Sequence, residues 1–228
     1  MTYFPTSCAG QIIELEVYVR DVKGNPIKGV NISAFGETDE KGHFLLRNDV
    51  LLRYWKALLF TAPGYKLKPV QLDASKLKFD VILEAETHVE TRTFPACSGD
   101  VPKGTRRVGE YVKLTIPKSF KFKTGIDADY RYFNIGFGKG SKKWWLRGGL
   151  GPMYAGVNPS PEALLNLSSY SYRKTSIGSD WKGITKEGHY WRFMGSVSVF
   201  ETYHYQTNLK TASDAFDAIL DSACFQDH

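Results

Sequence analysis

Apolar and polar residues alternate over several short stretches of this chain, and turn-forming residues separate the stretches. Between residues 14 and 20, for example, Leu15, Val17 and Val19 are apolar, whereas Glu16 and Arg20 are charged. Successive side chains of a strand point to opposite faces, so this pattern predicts a strand with one buried and one solvated face. Such stretches, about ten residues apart, predict a mainly β chain of antiparallel strands.

The composition is that of a folded globular protein. Of the 228 residues, 42% are hydrophobic and 24% are charged, which excludes a disordered or collagen-like chain. No run of about 18–20 apolar residues occurs, so we expect a soluble protein with no membrane-spanning segment. The length suits one large domain or two small ones.

Charged and aromatic residues are divided unevenly along the chain. Residues 1–95 hold 12 basic and 12 acidic side chains, so the remaining 18 basic and 12 acidic ones carry the whole net charge of +6. The same later part contains 21 of the 32 aromatic residues. A stretch rich in turn-forming residues, 93–104, lies at the change in composition. We therefore predict two domains, residues 1–94 and residues 95–228.

Three segments of the first domain carry a family resemblance. They are residues 19–30 (VRDVKGNPIKGV), 38–44 (TDEKGHF) and 62–65 (APGY). In this order and spacing they resemble the carboxypeptidase regulatory-like domain family, over residues 10–86 or so. The resemblance implies an Ig/prealbumin-like β-sandwich that acts as a non-catalytic accessory module of exported proteins. Its motifs are turn motifs, and they supply no catalytic residue.

The second domain is predicted to be a further antiparallel β domain. Arg131, Phe133 and Ile135 alternate with Tyr132 and Asn134, as expected for a strand. No family resemblance is apparent for this half of the chain.

A helix is predicted to end the second domain. Apolar residues recur there with the spacing of a helix stripe, at Ala212, Phe216, Ile219, Leu220 and Ala223. We predict a helix within residues 211–225, with Thr211 and Asp214 resembling a capping box.

An aromatic and basic set of residues in the second domain is the best candidate for a ligand-binding surface. Adjacent Trp144 and Trp145 must face opposite ways on a strand, so at most one of them belongs to the core. An exposed indole stacks well on the apolar face of a sugar or on a partner protein. The alternative is that these aromatic residues fill the core, with Arg147 and Arg192 packed over them. The candidate residues are Trp144, Trp145, Arg147, Tyr154, Trp181, His189, Tyr190, Trp191 and Arg192.

Catalytic and metal chemistry finds little support in the sequence. Asp127 and Asp129 would project from one face of a strand about 6–7 Å apart, which suits glycoside hydrolysis or calcium. We favour a turn in which these carboxylates accept hydrogen bonds from backbone N–H groups. The five histidines include no pair with helical zinc spacing, so we expect no metal site and no cofactor.

The three cysteines indicate in which cellular compartment the protein acts. We predict that Cys97 and Cys224 form a disulfide, which would require an oxidising environment. We therefore expect a secreted, periplasmic or cell-envelope location, although residues 1–10 have neither the charged start nor the apolar core of a signal peptide. Cys8 is either a free thiol or, in a processed form, an anchor.

Three functions are compatible with these features. The first is a non-catalytic exported protein that binds a glycan, an envelope component or a protein partner. The second is a carbohydrate-active hydrolase that uses Asp127 or Asp129. The third is an interaction subunit of an assembly, with the C-terminal helix as the contact. Nucleic acid is not favoured, because +6 without a run of Lys and Arg is a small electrostatic footprint.

Overall fold

The computed structural model describes residues 14–33, 35–47, 56–73, 75–87, 90–127, 130–138, 143–151, 158–176, 178–196 and 201–226. Within these ranges the chain is mainly β, with several sheets and a C-terminal helix, which confirms the predicted fold class. The chain divides into two compact units, residues 1–87 and residues 88–228.

Among its described residues, the first unit contains two sheets. Its strands are β1 (Glu14–Asp21), β2 (Asn31–Ile32), β3 (Gly36–Glu37), β4 (His43–Arg47), β5 (Ala57–Thr61), β6 (Lys68–Gln71) and β7 (Lys78–Leu83). One sheet has the order β4-β1-β7 and the other β3-β2-β5-β6. β1 pairs with β7 in parallel, whereas the other described pairs are antiparallel as predicted.

The described residues of the first unit form a buried apolar cluster to which both sheets contribute. Leu15, Val17 and Val19 are buried on one face of β1, which is the alternation that predicted this strand. Residues of the other sheet, including Ile32 and Phe60, belong to the same buried cluster. The first unit is therefore sandwich-like, with apolar burial as the main stabilising term.

A tight turn leads into β4 and fixes its start. One carboxylate oxygen of Asp39 accepts hydrogen bonds from the backbone N–H groups of Lys41 and His43, both at 2.8 Å. Gly42 has a φ of 68°, and a Cβ there would lie 2.3 Å from the carbonyl oxygen of Val19. Only glycine meets both demands at this position.

The second unit contains eleven strands and two helices among its described residues. They are β8 (Glu90–Arg92), β9 (Thr105–Val108), β10 (Val112–Pro117), β11 (Lys121–Asp127), β12 (Tyr130–Phe137), β13 (Trp144–Leu150), α1 (Pro161–Leu165), β14 (Leu167–Thr175), β15 (Gly178–Thr185), β16 (Tyr190–Ser196), β17 (Glu201–Thr207), α2 (Lys210–Asp221) and β18 (Cys224–Phe225). The large sheet has the order β11-β12-β13-β17-β16-β15-β14-β8, and a small sheet has the order β18-β10-β9.

The core of the second unit joins the large sheet to β10 and α2. It includes Ile135 of β12, Leu146 of β13, Tyr203 of β17, Leu114 of β10 and Phe216 of α2. We call the side of the large sheet that carries Ile135, Leu146 and Tyr203 its inner face, and the opposite side its outer face. Strand alternation assigns every other residue of each strand to the outer face.

The C-terminal helix is present, but its bounds and cap differ from the prediction. Helix α2 runs from Lys210 to Asp221, and its apolar stripe is buried as the sequence spacing indicated. The N-cap residue is Leu209, and no side chain caps the helix. The predicted capping role of Thr211 and Asp214 is wrong, because both residues already lie inside the helix, where Asp214 pairs instead with Lys210.

Residues 90–92 belong with the second unit, although the predicted boundary lies between residues 94 and 95. Strand β8 pairs in parallel with the end of β14. The Arg92 guanidinium donates hydrogen bonds to the carboxylate of Asp180 and to the last carbonyls of α2, at Leu220 and Asp221. These contacts, which the turn residues of 93–104 do not reveal, fix the start of the unit.

The two ends of the second unit are joined covalently. A disulfide links Cys97 to Cys224, the pair selected from the sequence, with the two Cα atoms 5.0 Å apart. Backbone hydrogen bonds beside it connect Cys97 to Phe225 and Phe225 to Pro95. Among the described residues, no helix is both long enough and apolar enough to span a bilayer.

Candidate functional site

The outer face of the large sheet carries a row of polar side chains across four strands. The register pairs Lys123 of β11 with Asn134 of β12, Asn134 with Arg147 of β13, and Arg147 with His204 of β17. Directly opposed residues on neighbouring strands lie about 4.5–5.5 Å apart, so the row is continuous. It crosses from β13 to β17, two strands that are adjacent in the sheet but distant in sequence.

Two aromatic rings lie beside this row because glycines leave room for them. Gly136 is the register partner of Trp145, and a Cβ at Gly136 would lie 2.8 Å from the six-membered ring of that indole. Gly125 is the partner of Tyr132, and a Cβ there would lie 2.3 Å from the Tyr132 hydroxyl oxygen. Each ring therefore covers a glycine on the next strand, an arrangement that holds it against the sheet.

The polar row and the two aromatic rings together line two neighbouring depressions. The first has a volume of about 450 Å³ and is lined by Lys123, Tyr130, Tyr132, Asn134, Trp145, Arg147, Gly148 and His204. The second has a volume of about 370 Å³ and is lined by Lys143, Trp144, Trp145, Arg147, His204, Tyr205 and Gln206. Trp145, Arg147 and His204 line both, so we call the two depressions together the Trp145 groove.

The electrostatic character of the Trp145 groove is positive. The ammonium group of Lys123 lies 6.0 Å from the centre of the Trp145 ring. Burial lowers the pKa of His204, and the nearby Arg147 guanidinium lowers it further, so His204 is neutral near pH 7. No carboxylate is found among the described residues that line the groove.

Asp127 lies at the end of β11 and takes part in a local contact. Its carboxylate accepts a hydrogen bond of 2.9 Å from the Tyr130 hydroxyl. Asp129 lies outside the described residues, so the proposed carboxylate pair stays a prediction. Among the residues that the structure describes, no group of three or more His, Cys, Asp and Glu side chains could hold a metal ion.

Trp144 and Trp145 have opposite orientations, as strand alternation requires. Trp144 packs against the inner core, and its indole N–H donates to the side-chain oxygen of Asn208 at 3.3 Å. Trp145 lines the outer groove, and Arg147, two residues further along β13, is exposed on the same face. Of the predicted surface, Trp145 and Arg147 line both depressions, and Trp144 lines only the second.

Two predicted ligand-binding residues, Trp181 and Trp191, are buried. Trp181 is 1% exposed, donates its indole N–H to the Ser179 hydroxyl and packs 4.3 Å from Tyr172 between ring centres. Trp191 is also buried and stacks beside Phe193. Neither indole lines the Trp145 groove, so we remove both from this candidate surface.

Arg192, His189 and Tyr190 have other partners. Arg192 does not pack over an aromatic ring, because Asp180, Asp217 and Asp221 accept its hydrogen bonds. The His189 ring nitrogen Nδ1 lies 3.0 Å from the Gln206 amide, and Lys210 lies over the ring of Tyr190. Tyr154 lies outside the described residues.

Most residues of the groove were missed at the sequence level. Alternation correctly assigns Tyr130, Tyr132 and Asn134 to one face of β12, yet it cannot say which strands flank them. His204 reaches the groove only because β17 pairs with β13. Gly125 and Gly136 are the one signal in the sequence that could have indicated the site. Once the strands of each hairpin are paired in register, each glycine lies opposite an aromatic residue.

Comparison with protein-family models gave no match, and comparison with curated proteins gave none either.

Proposed function

We propose that this protein is a non-catalytic binding protein and that its second unit binds a glycan in the Trp145 groove. The proposal rests on one observation: a half-buried indole, Trp145, lines the same depression as amide, guanidinium and ammonium groups. An indole face stacks on the apolar face of a sugar ring, while Asn134, Arg147 and Lys123 can hydrogen-bond to its hydroxyl oxygens.

The size of the groove agrees with this ligand. Binding sites for small ligands have volumes of about 300–1,000 Å³ and combine a few polar groups with aromatic walls. The first depression alone lies in this range, and the second extends it along β13. A short stretch of a polysaccharide would therefore contact both Trp145 and the polar row.

A hydrolase finds less support than a binding protein. Glycoside hydrolysis uses two carboxyl groups on either side of the scissile bond. The described lining residues supply none, and the Asp127 carboxylate is occupied by the Tyr130 hydroxyl. We therefore favour binding without catalysis.

Two observations support a proposal about the role of the first unit and the cellular location of the protein. The turn motifs of residues 19–65 resemble carboxypeptidase regulatory-like domains, which suggests an accessory β-sandwich of an exported protein. The Cys97–Cys224 disulfide supports an oxidising compartment. We propose that the protein acts outside the cytoplasm, at or near a cell envelope.

The test is glycan binding by the Trp145→Ala variant. Wild-type protein is screened against a polysaccharide panel by affinity electrophoresis, and every polysaccharide that binds is then measured by calorimetry. We expect Trp145→Ala to weaken binding about tenfold, since loss of one stacking ring costs about 1.4 kcal/mol.

A matched control separates loss of the ring from loss of any exposed apolar side chain. Ile126 is exposed on β11 and lies outside the groove, so Ile126→Ala should bind as the wild type does. Circular dichroism checks that both variants fold. The proposal fails if no polysaccharide binds, or if Trp145→Ala binds each one with unchanged affinity.

A further inference from the structure

Four cations lie at the Trp145 groove or beside it. Lys121 and Lys123 both lie on the outer face of β11, because residues two apart on a strand share a face. Arg147 belongs to the polar row, and Lys143 lines the second depression just before β13 begins. We call these four residues the cation cluster.

No member of the cation cluster is paired with a carboxylate within the described ranges of the chain. Some other basic residues of the second unit are paired, as Arg131 is with Glu110, whereas others, such as Lys174 and Lys186, are in no ion pair found among the described residues. The cluster differs from these unpaired residues because its cations lie together at one groove.

Lys143 is repelled by the other two lysines of the cluster. Proximity of the Lys121 ammonium group lowers the pKa of Lys143, and Lys123 lowers it further. Asp127 does not relieve this repulsion, because it lies four residues beyond Lys123 on β11, a separation of about 13 Å along the strand. Like charges held together without counter-charge disfavour the compact state, and a ligand with several negative charges would remove that cost.

From this cluster, and resting on the function proposed above, we propose that the glycan is an acidic polysaccharide. Its sugar ring stacks on Trp145, while carboxylate or sulfate groups on neighbouring sugars bind Lys121, Lys123, Lys143 and Arg147. A polymer suits the cluster better than a single anion, because the four cations extend along two strands and both depressions. A nucleic acid is less well matched, since the chain has a net charge of only +6.

The experiment compares acidic polymers with neutral ones, and the first pair differs in charge but has the same backbone. Polygalacturonate is tested beside its fully methyl-esterified form, and alginate and heparin are tested beside neutral dextran. We expect the acidic polymers to bind at low salt, with affinity at least tenfold above that of the neutral ones. Added salt should weaken this binding steeply.

Paired lysine variants locate the binding. Lys121→Gln/Lys143→Gln should weaken polygalacturonate binding several-fold and flatten its salt dependence. Lys174→Gln/Lys186→Gln removes the same charge from exposed positions outside the groove, and it should bind as the wild type does.

The outcomes separate the two proposals. Equal affinity for acidic and neutral polymers, with loss only in Trp145→Ala, overturns the inference of an acidic ligand and leaves the proposed function standing. Equal losses in the two lysine pairs overturn the inference as well, as does tighter binding of oligothymidylate than of every polysaccharide. If none of the polysaccharides binds, the proposed function itself fails.

Discussion

Arg192 and Asp180 form a two-pronged ion pair inside the second unit. The guanidinium Nε donates to Oδ1 at 2.9 Å, and Nη2 donates to Oδ2 at 2.8 Å. Both side chains are at most 3% exposed. Arg173 and Arg92 also donate to the same carboxylate, and Arg192 reaches Asp217 and Asp221 on α2. The network thus connects β8, β14, β15 and β16 with the C-terminal helix.

We predict that Asp180→Asn lowers the free energy of unfolding by about 3–5 kcal/mol, because it leaves Arg192 buried without its main counter-charge. Urea denaturation measures this change. The control is Glu40→Gln, which breaks an exposed pair with Lys28 and should cost much less stability. Equal costs for the two variants would contradict a stabilising role for the network.

The same pair predicts an acid dependence of stability. Burial alone would raise the pKa of Asp180, but hydrogen bonds and charges from Arg192 and Arg173 outweigh it, so the pKa is lowered. A carboxylate with a lowered pKa contributes stability above its unfolded value, about 3.9, and loses it as the pH falls through the folded value. Wild-type stability should therefore fall below about pH 4, and less steeply in Asp180→Asn.

We predict that reduction of the Cys97–Cys224 disulfide destabilises the second unit. The bridge spans 127 residues of sequence, for which the chain-entropy model gives about 4–5 kcal/mol. Denaturation of Cys8→Ser with and without dithiothreitol measures the difference without interference from the third cysteine. Thiol titration of unreduced wild-type protein in denaturant should find one free thiol, and finding three would show that the bridge does not form.

Local pattern was sufficient to predict much of the secondary structure. The alternation of Leu15, Val17 and Val19 predicted β1, and the helix stripe through Phe216 and Leu220 predicted α2, because burial of one face imposes its period on the sequence. A helix cap depends on the conformation of one residue and has no repeating pattern. The sequence therefore did not indicate that Leu209 is the N-cap residue of α2.

The groove required knowledge of which strands are neighbours. Trp145 and Arg147 were selected from the sequence, but the pairing of Arg147 with His204 depends on β17 inserting beside β13. Composition also cannot separate a buried indole from an exposed one. Trp181 and Trp145 both lie on strands. Trp181 is buried with Tyr172 beside it, whereas Trp145 lines an open groove.

Two glycines of the first unit allow a matched test of close packing. Gly42 and Gly64 have positive φ angles of 68° and 79°, so alanine is strained at either. A Cβ at Gly42 would also lie 2.3 Å from the Val19 carbonyl oxygen, whereas a Cβ at Gly64 meets nothing within 4 Å. We predict that Gly64→Ala costs about 1–2 kcal/mol and that Gly42→Ala costs distinctly more, as measured by thermal denaturation. Equal costs would mean that β1 and the turn before β4 are not packed this closely.

The pairing of Arg147 with His204 predicts a coupled titration in the groove. Burial and the Arg147 guanidinium both lower the pKa of His204, so Arg147→Gln should raise it toward its usual value of about 6.5. Titration of the His204 ring by NMR measures the change, and Lys174→Gln, which removes a charge outside the groove, should leave the pKa unchanged.

The lowered pKa of His204 also makes the stability of the protein depend on pH. When a histidine has a lowered pKa in the folded state, the unfolded state binds more protons as the pH falls below about 6.5, so the free energy of unfolding decreases there. Arg147→Gln should therefore lose less stability than the wild type between about pH 7 and pH 5. An unchanged His204 pKa in this variant would show that the two side chains are too far apart to interact, and the continuous polar row of the groove would have to be abandoned.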